Sequence, residues 1–393
     1  MTAGQQVSAG TDTGSGHGRD AGEELVHRLP ALLEALDGKV SGMLQQIGSR
    51  SPHRTENGLY DDCRHDWWTS GFWPGMLWLM YGLTGKESYR EAAAPWDGRL
   101  EQCFVQPSNL HHDVGFQFLP TAVLHYKLLG DSEGRRRGLA AANFLAGRFN
   151  LAGRFLRAWN QEKAGWAIID SCMNLSLLYW ASAELADPRF AQIATAHAET
   201  VLQHFVRPDG SVCHIVRFDP ASGECLEEIG GQGFGPGSAW SRGQAWALYG
   251  FANTYRYTGD ERFLAASQRI AHHFLACLPD DSVPLWDFRL PEPAGEPKDT
   301  SAAACAASGL LELAKLVPYP QNRLYREAAS RILLSLTDGF ANLASGREDE
   351  QGILREGTGH CPEGVNVNVS LIYGDYFYVE ALAKAKGWYP DVF

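Results

Sequence analysis

Two aspartates stand directly before long apolar segments, where a carboxyl group could act on a bound substrate. Asp170 lies between Trp166-Ala-Ile-Ile and Ser-Cys-Met-Asn-Leu, and Asp113 closes the motif Leu110-His-His-Asp. Apolar surroundings disfavour the charged carboxylate, so they raise its pKa and make proton transfer near neutral pH feasible. Two carboxylates at one site suit acid–base chemistry on a glycoside. The competing interpretation is that both residues are N-caps, the commoner use of Asp before a helix.

A third segment places a cation near aromatic rings. Arg242 and Trp246 follow a glycine-rich stretch that begins at Gln232, and their spacing of four puts them on one face of a helix. A guanidinium beside an indole suits a planar carboxylate, because it can bind both oxygens. A surface ion pair at a helix start is the alternative. The glycines follow no apolar strand, so a nucleotide-binding fingerprint is not indicated.

Tryptophan and histidine supply further candidates. Trp68 lies in a cluster of three Trp at the end of a long polar loop, and one of the three is expected to face the site. His214 is a possible proton donor or hydroxyl partner, although a lone histidine is more often structural. Neighbouring residues usually point in different directions, and no matching third ligand recurs near His111 and His112 in the sequence, so neither a metal nor a cofactor is predicted. Serine-hydrolase and P-loop motifs are also missing from the sequence.

Composition narrows the functional class. The 393 residues carry a net charge of −12, and the one dense basic run is at 135–137, so no nucleic-acid partner is expected. No apolar run approaches membrane-spanning length, and the eight scattered cysteines indicate free thiols in a reducing compartment. We therefore predict a soluble, cytoplasmic protein. Residues 1–22 are small and polar and are predicted to form a disordered tail before a single domain, 23–393.

The elements that must position these residues are helices of two alternating kinds. Six segments are apolar nearly all round, which is typical of helices buried on most sides; they cover about 71–84, 114–129, 170–185, 240–257, 300–316 and 374–386. Six amphipathic segments alternate with them, at about 23–47, 87–104, 132–149, 188–206, 260–277 and 322–340. The pattern predicts an all-α fold, an (α/α)6 barrel with an inner and an outer ring. An open helical-repeat array is the alternative.

Loop lengths predict where a site would form. The loops that enter the buried helices are long, whereas those that leave them are short. In a barrel, the long loops would gather at the end that holds the inner-helix N-termini. Five charged residues fall at or near these junctions and would face one pocket: Asp113, Asp170, Arg242, Asp299 and Asp375.

These motifs, taken together, resemble the unsaturated glucuronyl hydrolases of glycoside hydrolase family 88. The likeness runs in order over about residues 60–388 and rests on Trp68-Thr-Ser-Gly-Phe-Trp, His111-His-Asp-Val-Gly-Phe, Ile168-Ile-Asp with Asn174, Trp240-Ser-Arg-Gly-Gln-Ala-Trp, Trp286-Asp-Phe, Asp299-Thr-Ser-Ala and Gly374-Asp-Tyr. The family has an (α/α)6 barrel. Its members remove the non-reducing-end 4,5-unsaturated uronic acid from lyase-generated oligosaccharides by hydrating the ring double bond.

The resemblance also implies roles for individual residues. Asp170 would be the acid–base catalyst, and Asp113 would hold ring hydroxyls and influence the charge state of Asp170. Contacts to the unsaturated sugar would come from Trp68, His112, Trp159, His214, Gln232, Arg242 and Trp246. The segment 355–373 would help to bind the next sugar. The substrate would be a uronate-containing oligosaccharide, and the protein a monomer or homodimer. A family 105-like rhamnogalacturonyl hydrolase and a non-catalytic carbohydrate-binding barrel are the alternatives.

Overall fold

The computed structural model describes residues 20–160, 162–343 and 349–393. The predicted tail, 1–22, lies outside these ranges except at its end. There, helix α1 (Ala21–Ile47) begins two residues before the predicted domain boundary, and the Asp20 carboxylate accepts a hydrogen bond from the backbone N–H of Glu23. An N-cap of this kind stabilises the first turn of a helix. The first helix of the fold therefore starts at Ala21.

Six helical segments form an inner ring. They are α2 (Phe72–Thr84), the composite of α5 (Val114–Phe118), a π-helical turn (Leu119–Val123) and α6 (Leu124–Leu129), then α8 (Ser171–Leu185), α10 (Ser241–Thr258), α12 (Thr300–Leu316) and α14 (Ile372–Ala385). Each segment packs against the next, and α14 packs against α2, which closes the ring. In the second segment, Pro120 lacks the N–H that a regular α-helix needs, which accounts for the irregular turn.

The outer ring covers the inner one. It consists of α1, α3 (Glu87–Ala93) with α4 (Pro95–Val105), α7 (Ser132–Ala146), α9 (Pro188–His204), α11 (Glu261–Ala276) and α13 (Gln321–Ser335). The predicted helix 87–104 is divided in two, because Pro95 starts a new helix. The predicted (α/α)6 barrel is confirmed. None of the described helices is long and apolar enough to cross a membrane.

The long loops contain short strands that the sequence pattern does not predict. Two hairpins pair β1 (Thr55–Glu56) with β2 (Leu59–Tyr60) and β3 (Phe149–Asn150) with β4 (Phe155–Leu156). A three-stranded antiparallel sheet joins β5 (Trp166–Ile168), β6 (Ile215–Phe218) and β7 (Cys225–Ile229). Strands of two to five residues show too little alternation to be recognised from sequence. The β5–β6 pairing matters because it joins the two loops that carry Asp170 and His214.

Candidate active site

A cavity of about 760 Å³ opens at the end of the barrel where the long loops meet. Its wall contains seven of the nine predicted site residues: Trp68, His112, Asp113, Trp159, Asp170, Gln232 and Arg242. The other two, His214 and Trp246, lie behind the wall. The loop-length argument thus predicts the correct end of the barrel. A pocket of this size encloses a ligand larger than one sugar ring.

Neither aspartate of the pair uses its carboxylate as a helix cap. Asp170 and Asp113 occupy the N-cap positions of α8 and α5, and neither side chain accepts a capping hydrogen bond. At the start of α12, by contrast, the Asp299 carboxylate accepts the backbone N–H groups of Ser301 and Ala302. The N-cap interpretation is therefore wrong for both cavity aspartates. Their carboxyl groups remain available to a substrate.

The ring of His112 presents an unprotonated nitrogen to Asp113. Its Nδ1 lies 2.7 Å from the carbonyl oxygen of Ala158, so Nδ1 carries the proton and donates it there. Burial holds the pKa of His112 well below its ordinary value, so the ring is neutral and Nε2 has a free lone pair. This Nε2 lies 3.1 Å from Asp113 Oδ1. Only a protonated Asp113 can complete that contact as a hydrogen bond.

The electrostatic environment of Asp113 favours the same protonation state. Burial, and after it the nearby charge of Asp170, raises the pKa of Asp113 well above its usual range. A hydrogen bond from the Asn174 amide acts in the opposite direction but is a smaller effect. Burial and the charge of Asp170 both favour the protonated form of Asp113, the form that can donate to His112 Nε2.

Asn174 fixes the positions of the two aspartates relative to each other. Its Nδ2 donates to Asp113 Oδ1 and to the backbone oxygen of Asp170, each at 3.2 Å, and its Oδ1 accepts the N–H of Phe116 at 2.9 Å. The two helices can approach this closely because residue 115 is glycine: a Cβ there would lie 2.5 Å from Asn174 Oδ1. The Asp-Val-Gly-Phe and Asp-x-x-x-Asn patterns thus form one interlocked unit.

His214 presents the opposite kind of atom to Asp170. The backbone N–H of Gln232 donates to His214 Nδ1 at 2.8 Å, so in the neutral ring the proton is on Nε2. That Nε2 lies 3.5 Å from Asp170 Oδ2. The position follows from the β-sheet, since the backbone N–H of Ile169 donates to the His214 carbonyl at 3.0 Å. Asp170 therefore faces a donor, whereas Asp113 faces an acceptor.

Replacing Gly231 with alanine is expected to disturb His214 selectively. Gly231 has a φ of +58°, and a Cβ there would lie 2.2 Å from His214 Nδ1. The added methyl must displace either the imidazole or the Gln232 N–H that sets its tautomer. We expect kcat to fall about 100-fold, as for loss of a positioned acid–base partner, with little loss of secondary structure. Steady-state kinetics and circular dichroism measure the two effects; unchanged kcat would contradict the role of His214.

Arg242 lies in the cavity wall with its terminal nitrogens committed to the protein. Nη1 donates to Asp299 Oδ2 at 2.5 Å and to the Thr358 carbonyl at 2.6 Å. Nη2 donates to Gln232 Oε1 and to the Gly359 carbonyl, both at 2.7 Å. These bonds join three loops around the guanidinium. The side chain contributes a buried, paired positive charge to the wall, and its predicted bidentate contact to a substrate carboxylate stays a prediction.

The aromatic partner of Arg242 is not the one predicted. Its guanidinium carbon lies 4.5 Å from the ring centroid of Trp240 and 5.3 Å from that of Tyr373. Trp246 is 1 % exposed and packs against Phe116, with ring centroids 5.1 Å apart, so it does not line the cavity. The predicted Arg242–Trp246 platform is therefore wrong. Position 246 faces the apolar axis of the ring, whereas Trp240 precedes the helix and folds back over the arginine.

Two further junction residues do not face the cavity as expected. Asp299 is fully buried against Arg242. Asp375, also fully buried, accepts the N–H groups of Ile353 and Leu354, each at 2.8 Å, and the hydroxyl of Tyr60 at 2.7 Å. Burial raises the pKa of Asp375 to about 6. Its role is to hold loops in place.

Replacing Asp375 with alanine is expected to destabilise the fold. Three buried donors would lose their acceptor, and each unsatisfied group costs about 1–3 kcal/mol. We expect the free energy of unfolding to fall by at least about 3 kcal/mol, as measured by urea denaturation. Asp260→Ala, which removes a solvent-exposed N-cap of α11, should cost only about 1 kcal/mol. A similar loss in both variants would contradict the special role of Asp375.

Sequence reasoning missed several residues of the wall. These are His53, Asn109, Lys163 and Trp240. Trp240 begins the motif of Arg242, so the motif was a usable signal for it, whereas His53, Asn109 and Lys163 lie in loops without periodicity. His360, Asn366 and Tyr373 also line the wall and lie in the segment 355–373, for which the resemblance implies a role in binding the next sugar.

Among the residues that the structure describes, two groups of side chains lie close enough to share a cation. Their ligand atoms fall within 4.8 Å of one another in the sets His111, His112, Asp113 and Asp97, His125, Asp131. In the first set, His112 Nδ1 donates to the Ala158 carbonyl, and His112 Nε2 faces Asp113 Oδ1 at 3.1 Å. In the second, His125 Nδ1 lies 2.8 Å from Asp97 Oδ2, near the end of the inner helix away from the cavity. The prediction that catalysis needs no metal stays a prediction.

Comparison with known proteins places this geometry in a family. Residues 43–339 match the model of Glycosyl Hydrolase Family 88. The chain belongs to this family. The unsaturated glucuronyl hydrolase of Bacillus sp. (strain GL1) is 37 % identical over 87 % of this chain and 93 % of its own length. Its crystal structure has a TM-score of 0.87, with 90 % of this chain and 96 % of that chain covered.

Other family 88 members show how far the likeness extends. The unsaturated chondroitin disaccharide hydrolase of Streptococcus pyogenes serotype M1 is 33 % identical, with 82 % of each chain covered. A mutant unsaturated glucuronyl hydrolase from Streptococcus agalactiae, in complex with dGlcA-GalNAc6S, is 29 % identical and has a TM-score of 0.78, with 92 % of this chain and 93 % of that chain covered. The resemblance inferred from motifs is thus confirmed at the level of the family.

Proposed function

We propose that this chain is an unsaturated glucuronyl hydrolase that removes the 4,5-unsaturated uronic acid from the non-reducing end of oligosaccharides made by lyases. The observation that carries the proposal is that the two cavity carboxyl groups face opposite kinds of atom. Asp113 faces the lone pair of His112 Nε2, and Asp170 faces the N–H of His214 Nε2. Different partners allow one carboxyl group to be protonated while the other is ionised in the same site. The names of the relatives support the same substrate class.

In the proposed reaction, Asp170 transfers a proton to C4 of the ring vinyl ether and then accepts one from the water that adds at C5. The resulting C5 hemiketal opens to a ketone, the former ring oxygen becomes the C1 carbonyl oxygen, and the neighbouring sugar leaves with a proton. The uronate adds a negative charge beside the two carboxyls, and like charges disfavour each other. Asp113 is then the group that passes a proton to Asp170 once the anionic substrate has bound.

The binding roles follow from placement in the wall. Asp113 and His112 lie where ring hydroxyls would meet them, and Trp68 and Trp159 offer flat faces to sugar C–H groups. Gln232 lies beside the Arg242 guanidinium, whose positive charge favours the uronate carboxylate. His214 acts behind Asp170 as a positioning residue.

Incubation with a panel of lyase-generated unsaturated disaccharides tests the proposal. Loss of the ultraviolet absorbance of the conjugated C4=C5 bond is expected for glycosaminoglycan-derived members. In heavy-oxygen water the label should appear at C5; label at the anomeric carbon would indicate direct glycosidic hydrolysis. Turnover restricted to rhamnogalacturonan fragments would favour the family 105-like specificity. Binding without loss of absorbance across the panel would favour a non-catalytic barrel.

A further inference from the structure

A lysine at the mouth of the cavity is held between two indole rings. Lys163 lies in the loop between β4 and β5, and its Nζ is 4.7 Å from the ring centroid of Trp159 and 4.6 Å from that of Trp166. Each ring face attracts a cation, so the exposed ammonium is held in place by two aromatic partners. A cation held in this way loses less conformational entropy when it binds a ligand.

The positive charge of Lys163 is not neutralised by the protein. Within the ranges 20–160, 162–343 and 349–393, the Lys163 ammonium forms no ion pair or hydrogen bond, so its three N–H donors remain open to a ligand. Other basic groups of the wall differ. Arg242 is paired with Asp299. Burial lowers the pKa of His53 and of His111 to about 4, so both rings are neutral at physiological pH.

Trp159 connects Lys163 to the reacting end of the cavity. The Trp159 ring contacts His112 edge-on, with centroids 6.0 Å apart, and His112 in turn lies against Asp113. Lys163 contacts the same Trp159 ring. The acidic residues of the mouth do not pair with it either: Glu363 lies 3.5 Å from His360, and exposed Glu162 forms no ion pair among the described residues. If the unsaturated ring occupies the carboxyl pair, as proposed above, a neighbouring sugar that extends along Trp159 reaches Lys163.

We propose that Lys163 binds an anionic substituent, a sulfate ester or a carboxylate, on the sugar that leaves. The inference rests on the proposed function, because it assigns the position of that sugar. Both substituents carry oxygens that accept from an ammonium, and a charge-assisted hydrogen bond favours the charged substrate over its neutral analogue. Lys163 would thus determine specificity and take no part in the chemistry.

The test compares matched unsaturated disaccharides that differ only in the leaving sugar: unsulfated, 4-sulfated, 6-sulfated and carboxylated. Lys163→Met keeps the aliphatic stem against the indoles and removes the charge. We expect kcat/KM for at least one charged substrate to fall about tenfold, with the unsulfated substrate unchanged. Lys163→Arg should restore most of the loss. Which charged substrate responds identifies the sulfate ester or the carboxylate as the ligand.

The control variant Lys86→Gln removes a positive charge from an exposed site near the other end of α2, where Lys86 pairs with Asp37. It should leave the ratio of kcat/KM on each charged substrate to kcat/KM on the unsulfated substrate unchanged. An equal loss on charged and unsulfated substrates in Lys163→Met would overturn the inference, as it would place Lys163 against the uronate itself. Unchanged ratios would overturn it too. Turnover of the unsulfated substrate by the wild type tests the proposed function separately.

Discussion

Asp170→Asn is expected to lower kcat by about four orders of magnitude. The amide can neither give a proton to C4 nor take one from water, and a positioned acid–base group contributes about 10²–10⁴ in rate. Asp170 makes no capping hydrogen bond, and its carboxylate lies on the cavity surface, so the fold should survive the change. Loss of ultraviolet absorbance at saturating substrate measures the effect.

Two measurements separate catalysis from folding in this variant. Substrate affinity, measured by calorimetry, should remain within about threefold, because the amide keeps the size of the carboxyl group. Asp260→Asn, an exposed N-cap of α11, serves as the matched control and should retain full activity. A variant of Asp170 with more than a tenth of wild-type kcat would show that another group transfers the proton.

Asp113→Asn is expected to lower kcat about 100-fold or more. His112 Nε2 and Asn174 Nδ2 both face Asp113 Oδ1, so an asparagine oxygen at this position keeps the hydrogen bond from Asn174 and gives His112 Nε2 no donor. The amide cannot pass a proton to Asp170 once the anionic substrate has bound. The predicted loss is that of a proton-transfer partner, within the range of about 10²–10⁴ for such groups.

The direction of the pKa shift of Asp113 predicts which side of the pH profile of kcat/KM this substitution changes. Burial and the charge of Asp170 raise the pKa of Asp113 well above its usual range, so its proton is lost at a higher pH than that of an ordinary aspartate. Activity that requires this proton should therefore decline on the alkaline side of the kcat/KM profile. In Asp113→Asn that alkaline decline should disappear from the residual activity. An unchanged alkaline limb would assign it to a different group.

The sequence predicts the barrel well because its signal is periodic and redundant. Helix α8 is buried without interruption from Ser171 to Ala181, and its sequence is correspondingly apolar on every face. Many apolar side chains in each helix indicate the same buried face. A single irregularity such as Pro95 or Pro120 therefore changes where a helix begins or ends but leaves the fold intact. The alternation of two helix kinds, with long loops on one side, then fixes the end at which a site forms.

The sequence also determines which residues can take part in acid–base chemistry. Asp113, Asp170 and His112 are recognisable by their residue type and by the apolar segments that flank them. What only the tertiary structure decides is how each one is used. Asp170 and Asp299 both precede inner helices, yet one carboxylate is free and the other binds an arginine. Trp246 shares a motif with Arg242 but belongs to the core. These outcomes depend on contacts between loops far apart in the chain, and such contacts leave no period in the sequence. The atom that His112 presents to Asp113 depends on the His112 tautomer. That tautomer is set by the carbonyl of Ala158, 46 residues away in the chain.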